Sequence, residues 1–196
     1  MLLQTEQQVH PEQRARSLHG SAQEGPREEL RCDPLKNTLT ADQLVRAHGL
    51  DNVVYFPRHP ETRFEPATAA FLSTVGIPNM RLFKTRADVG LDDPDPVELG
   101  ALFDLEDDDC PAERRHWQTL GYLRTTLIVV DPDSGAVHGY PESEEDSLPL
   151  HRDVESLAYC LTEFRKLQDA HAHGDDTEAI VHRFREAVTA FDAAPP

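Results

Sequence analysis

LGYLRTTLIVVDPDSGAVHGY, residues 120–140, holds three short runs that alternate with turn residues. LGYL, TLIVV and AVHGY are rich in β-branched and aromatic side chains and read as strands. DPDSG, residues 131–135, joins the last two. Pro132 at the second turn position and Gly135 near the end are ordinary residues of a hairpin connection. The same five residues resemble the first half of a calcium loop, which spaces oxygen ligands at alternate positions around a glycine. That reading fails on two counts. No third ligand precedes Gly135, and the flanks read as strands where an EF-hand needs helices. Glu142 falls at loop position twelve by coincidence. DPDSG is therefore expected to be a tight turn, with no metal.

Working outward, the C-terminal side is helical. From Arg152 the apolar residues Val154, Leu157, Leu161 and Phe164 recur at helical spacing, with Ala158 and Cys160 beside them. HAHGDD, residues 171–176, ends that helix. Its histidines suit a helix C-terminus and its aspartates the next N-terminus, so the cluster reads as structural. Asp175 and Glu178 fit a capping box for a last helix, whose buried stripe is Ile180, Phe184, Ala187, Val188 and Phe191. On the N-terminal side, Thr40 is placed to cap a helix carrying Leu44, Val45 and Ala47 and ending at Gly49. NVVYF, residues 52–56, is a strand by propensity. Glu65 or Pro66 opens a short helix with Phe71, Leu72 and Val75 on its apolar face, stopped by Gly76 and Pro78. MRLFKT, residues 80–85, is a candidate strand. Residues 1–36 are too poor in apolar side chains to offset the entropy of ordering and are expected to form a mobile tail. Residues 37–196 are then one domain. The expected fold class is α+β: a central, mostly antiparallel sheet with packed helices and a C-terminal helical pair.

The formal charge is −17 over 196 residues, with an isoelectric point near 4.8. Such a body is a poor partner for nucleic acid or an anionic membrane, and a good one for a basic protein. Much of the imbalance lies in residues 88–113, DVGLDDPDPVELGALFDLEDDDCPAE, which hold eleven acids and no lysine, arginine or histidine. LGALF is read as a short strand within an otherwise exposed acidic loop. The run also carries Val89, Leu91, Val97, Leu99, Leu102, Phe103 and Leu105, and acids interleaved with apolar anchors suit a protein interface. The candidate electrostatic contacts are Asp92, Asp93, Asp95, Glu98, Asp104, Glu106, Asp107, Asp108 and Asp109, with Leu102 and Phe103 as anchors if exposed. Glu142, Glu144, Glu145 and Asp146 lie between the last strand and the long helix, as a possible extension of the same acidic face.

Catalytic chemistry is thinly represented. GxSxG, Walker and GxGxxG motifs are absent. HPE occurs at residues 10–12 and 59–61 without the downstream PCxxC that a zinc deaminase requires. Of three cysteines, Cys32 lies in the tail, Cys110 sits among carboxylates that raise a thiol pKa, and Cys160 lies near an apolar helix face. An odd number without CxxC spacing argues against a disulfide framework and a structural zinc. No apolar run reaches membrane-spanning length and no export signal is evident, so a cytoplasmic location is expected. No enzyme activity and no cofactor are expected.

The C-terminal half, from LGYL to the helix ending in FRKLQ, is similar to the C-terminal block of the SUKH superfamily, in particular its fourth subfamily of bacterial immunity proteins. The residues that carry the likeness are Asp131, Ser134, Gly135, Val137, Ser156, Leu157, Tyr159, Leu161 and Phe164. FLSTVGIP, residues 71–78, followed by RLF, also resembles a family segment. The likeness spans roughly residues 64–170 and rests on turn and packing motifs. It implies an α+β fold and a binding role: neutralising a cognate polymorphic toxin, often a nuclease or nucleic-acid deaminase. The implied partner is a toxin domain with a basic surface. The alternative reading is a regulatory or scaffold module of the same fold, acting on an endogenous enzyme.

Overall fold

The computed structural model describes residues 38–58, 63–85, 97–106, 109–141 and 146–193. Helix α1, Ala41–His48, starts at Thr40, whose hydroxyl accepts from Gln43 N while the Gln43 side chain accepts from Thr40 N. That reciprocal pair satisfies two otherwise orphaned donors. Gly49 ends the helix. A single 3-10 turn, Leu50–Asn52, leads into β1, Val53–Val54, which is shorter than the strand expected over 52–56. Helix α2, Pro66–Thr74, is capped by Glu65, with Pro66 at its first position. Burial opposes charge on the Glu65 carboxyl, but the Ala67 and Thr68 backbone donors outweigh it and hold its pKa low. Strand β2, Ile77–Pro78, pairs antiparallel with β1.

The main sheet has five antiparallel strands in chain order. They are β3, Phe83–Thr85; β4, Gln118–Leu123; β5, Thr126–Val130; β6, Val137–Pro141; and β7, Leu148–His151. Between β5 and β6, DPDSG forms the expected turn. Gly135 N donates to Asp131 O and Asp131 N to Ala136 O. Gly135 has φ of +76°, and a Cβ there would meet the Thr68 hydroxyl at 3.2 Å. Both the turn and the helix beneath it therefore require glycine. Strand β4 approaches β3 even more closely: a Cβ on Gly121 would lie 2.1 Å from the Lys84 carbonyl oxygen.

Alternate residues of β5 enter different cores, as the two-residue period of a strand dictates. Ile128 and Val130 face a cluster with Phe83, Leu120, Val137, Val154, Leu157 and Leu161. That cluster lies beneath α4, Val154–Ala172. Val129 faces the opposite side, with Leu99, Trp117 and Tyr140. Helix α4 is capped by Asp153, which accepts from Ser156 N at 2.7 Å. Helix α5, Thr177–Asp192, folds back along α4 to give the C-terminal pair. Tyr159 stacks on Phe191 at 4.1 Å and Phe164 meets Phe184 edge-on. The α5 cap is Asp176, one residue beyond the Asp175 expected from the sequence, and it accepts from Ala179 N. Asp175 instead lies 3.5 Å from Arg183. Two further expectations are corrected. LGALF is not a strand but the body of helix α3, Leu99–Glu106. The polar connection ahead of α4 contains β7. No helix among the described residues is long and apolar enough to cross a membrane.

Candidate functional site

The described part of the acidic segment, residues 97–106 and 109–113, includes a helix that packs on the sheet face opposite α4. Residues 97 and 98 pair with the start of β4: Thr119 N and its hydroxyl both donate to Val97 O, and Glu98 bridges to Gln118. The first turn of α3 then finds acceptors in the segment before β4. Leu99 N donates to Trp117 O at 2.7 Å and Gly100 N to Arg115 O at 2.9 Å. Otherwise orphaned N-terminal donors are thus satisfied by a neighbouring loop. Leu99 is fully buried, and Phe103, one helical turn on, meets Tyr140 edge-on at 6.0 Å.

Two consecutive arginines tie this face together. The Arg115 side chain lies against Gly100, where a Cβ would come within 3.0 Å of it, and reaches Asp104 at 2.5 Å. Arg114 Nη1 donates to Asp146 at 2.7 Å and to the Tyr140 hydroxyl at 3.2 Å, with its guanidinium 5.6 Å from the Trp117 ring centre. Hydrogen bonds to Tyr140 and Asp146 raise the pKa of Arg114 and hold it charged. Asp104 and Asp146, from segments over forty residues apart, are thus brought to the same core cluster through adjacent cations. The sequence reading passed over this arginine pair, although it directly follows the acidic run.

The remaining candidates divide. Glu98 and Asp109 are exposed, with no ion pair among the described residues. Leu102 and Phe103 on α3 are both partly buried, Phe103 against Tyr140. Glu106 is the last residue of α3. Asp92, Asp93, Asp95, Asp107, Asp108, Glu142, Glu144 and Glu145 lie outside the described residues. So do Cys32 and both HPE triplets.

The other sequence candidates have local explanations. In the DPDSG turn, Asp131 accepts from Asp133 N at 3.0 Å and from the Ser134 hydroxyl at 2.6 Å. Burial works against its charge, but these donors prevail and keep its pKa low. His116 and Asp133 stand beside Asp131, close enough for the three to share a cation. Both Asp131 oxygens are nevertheless engaged by the turn itself, which accounts for their placement. In HAHGDD, His173 Nδ1 lies 2.6 Å from Asp169 O at the end of α4, and Asp176 caps α5. Burial pushes the Cys160 thiol up to about 11 and also raises that of Cys110, so both are poor nucleophiles near neutrality.

In a comparison with known protein families, residues 39–195 match the family described as SUKH-4 immunity protein. No curated protein and no solved structure matches the chain.

Proposed function

The chain belongs to the SUKH-4 immunity protein family, and we propose that it protects the cell that makes it by binding a toxin domain and blocking it, without catalysis of its own. The match over residues 39–195 carries this reading. The charge of −17 supports a basic partner. The toxin class that fits best acts on nucleic acid, as a nuclease or a deaminase. Such an enzyme needs a basic groove for phosphates, and an acidic surface competes for that groove. Of the candidate acids, Glu98 and Asp109 are exposed without an ion pair among the described residues, whereas Asp104 and Asp146 are already paired within the chain. Leu102, on the helix that follows Glu98, supplies apolar contact. The encounter takes place in the cytoplasm of the producing cell.

The test is to isolate the protein that co-purifies with this chain from its native host, to express it with and without the chain, and to measure survival and binding of the purified pair. Neither rescue nor binding would sink the reading. Within a binding pair, Glu98→Lys with Asp109→Lys is expected to slow association on the order of tenfold at low salt, with dissociation nearly unchanged. An unchanged association rate would remove the acidic surface from the mechanism and leave the immunity role standing.

A further inference from the structure

Strand β4 begins beside the acidic segment at Gln118 and ends at Leu123. There a two-residue turn, Arg124-Thr125, leads into β5, with Leu123 paired to Thr126. Arg124 has φ of +58° and is the one non-glycine residue with a positive φ among the described residues. Two-residue hairpin turns take glycine, asparagine or aspartate at such positions, because an L side chain crowds its own backbone there. An arginine kept at a strained position points to a use for its side chain. The Arg124 N–H donates to Leu82 O at 3.1 Å, which sets the turn beside Arg81 and Leu82. Arg81, Leu82, Arg124, Phe164 and Gln168 line a cleft of about 350 Å³. Leu82 and Phe164 are partly buried against the core beneath α4, and Phe164 meets Phe184 edge-on, so the apolar wall is held in place. Arg81 and Arg124 are exposed, and neither has an ion pair or a side-chain hydrogen bond among the described residues. No described residue that lines the cleft is acidic. In a chain of net charge −17, the cleft is a local reversal of sign.

We infer that this cleft is an anion-recognition site that takes a single carboxylate carried on an apolar stem. The site goes beyond the immunity reading and takes no support from it. Each guanidinium offers a planar fork of donors that matches a carboxylate, and an anion between two cations relieves their repulsion. Leu82 and Phe164 receive the stem, as the apolar lining of a ligand cleft does. An extended polyanion such as nucleic acid is opposed by the charge of the rest of the chain, whereas one carboxylate is not. The same chemistry is presented by an acidic side chain of a bound protein and by a free small acid.

The experiment titrates phenylpropionate into the full chain at low salt and follows backbone amide NMR shifts. Shifts are expected at Arg81, Leu82, Arg124, Phe164 and Gln168, half-saturated in about the millimolar range for an acid of this size. Phenylpropanol, the neutral counterpart, is expected to bind at least about fivefold more weakly. Equal binding of acid and alcohol, or no shifts at these residues with the acid, overturns the inference. This comparison uses the wild-type chain, so it stands whether or not a variant folds. Arg81→Ala with Arg124→Gly is expected to weaken the acid at least about tenfold, with the urea midpoint unchanged or higher, because glycine relaxes the turn. Unchanged affinity in the folded variant overturns the inference, and so does binding lost together with the urea midpoint, which assigns the arginines to the fold. The protein that co-purifies from the native host separates the two sources. Weaker binding of that protein by the variant, with phenylpropionate competing against it, supports the site and makes the carboxylate the partner's. Unchanged binding of that protein by a variant that has lost the acid supports the site and makes a free acid its ligand. Failure of the acid to bind leaves the immunity reading intact.

Discussion

Arg114 and Arg115 differ in how much depends on them. The Arg114 side chain is 22% exposed and has four partners: the Asp146 and Glu113 carboxylates, a phenol and an indole face. Arg114→Ala is expected to destabilise the fold by about 2 kcal/mol, read as a shift in the urea midpoint. Arg115 is exposed with one acidic partner, so Arg115→Ala is expected to leave the midpoint nearly unchanged. A midpoint shift of equal size for both would show that the aromatic partners of Arg114 contribute nothing. Gly121 is more severe. A side chain there meets the backbone of β3, which no rotamer change can relieve. Gly121→Ala is expected to cost on the order of 3 kcal/mol or more and to separate β3 from β4. Amide exchange at residues 83–85 measures this directly.

At the level of elements, α4 and α5 are joined by a short polar chain. His151 Nδ1 lies 2.9 Å from the Ser156 hydroxyl, which in turn donates to Asp192 at the end of α5. Ser156 is buried, so Ser156→Ala leaves two polar groups without their shared partner. Amide exchange in the last turns of α5 is expected to rise well above that of α4; equal acceleration in both helices would show that the chain does not anchor α5 specifically. The helices and the central hairpins were legible in sequence because their signals are local: Thr40, Glu65, Gly49 and Gly135 each fix the backbone within a few residues. Helix α3 was not legible, because LGALF is short and apolar enough to read as a strand. Leu99, Leu102 and Phe103 fit helical spacing, but the acceptors for its first donors come from Trp117 and Arg115. Strand β7 was missed for the opposite reason: Pro149 argues against a strand and is tolerated only at a sheet edge. The acids of the candidate site were visible as composition, whereas the arginines that neutralise Asp104 and Asp146 become relevant only once the chain is folded.

For the whole molecule, acid sensitivity is expected to begin with histidine. Burial lowers the pKa of His48, His138 and His151 in the folded state. Above the ordinary histidine value of about 6.5 these groups are neutral whether folded or not. As pH falls through it, the unfolded chain takes up protons first and stability declines. His151→Gln is expected to flatten the loss of stability between about pH 7 and 5, and an unchanged slope would remove His151 from the account. The low pKa values of Glu65 and Asp131 contribute a second loss below about pH 4. The two cores that share β5 also have an evolutionary consequence. A one-residue insertion in β5 would exchange the side chains of the two faces and spoil both at once. Variants surviving random insertion are therefore expected to be absent from residues 126–130, so a single strand holds two otherwise separate interiors in step.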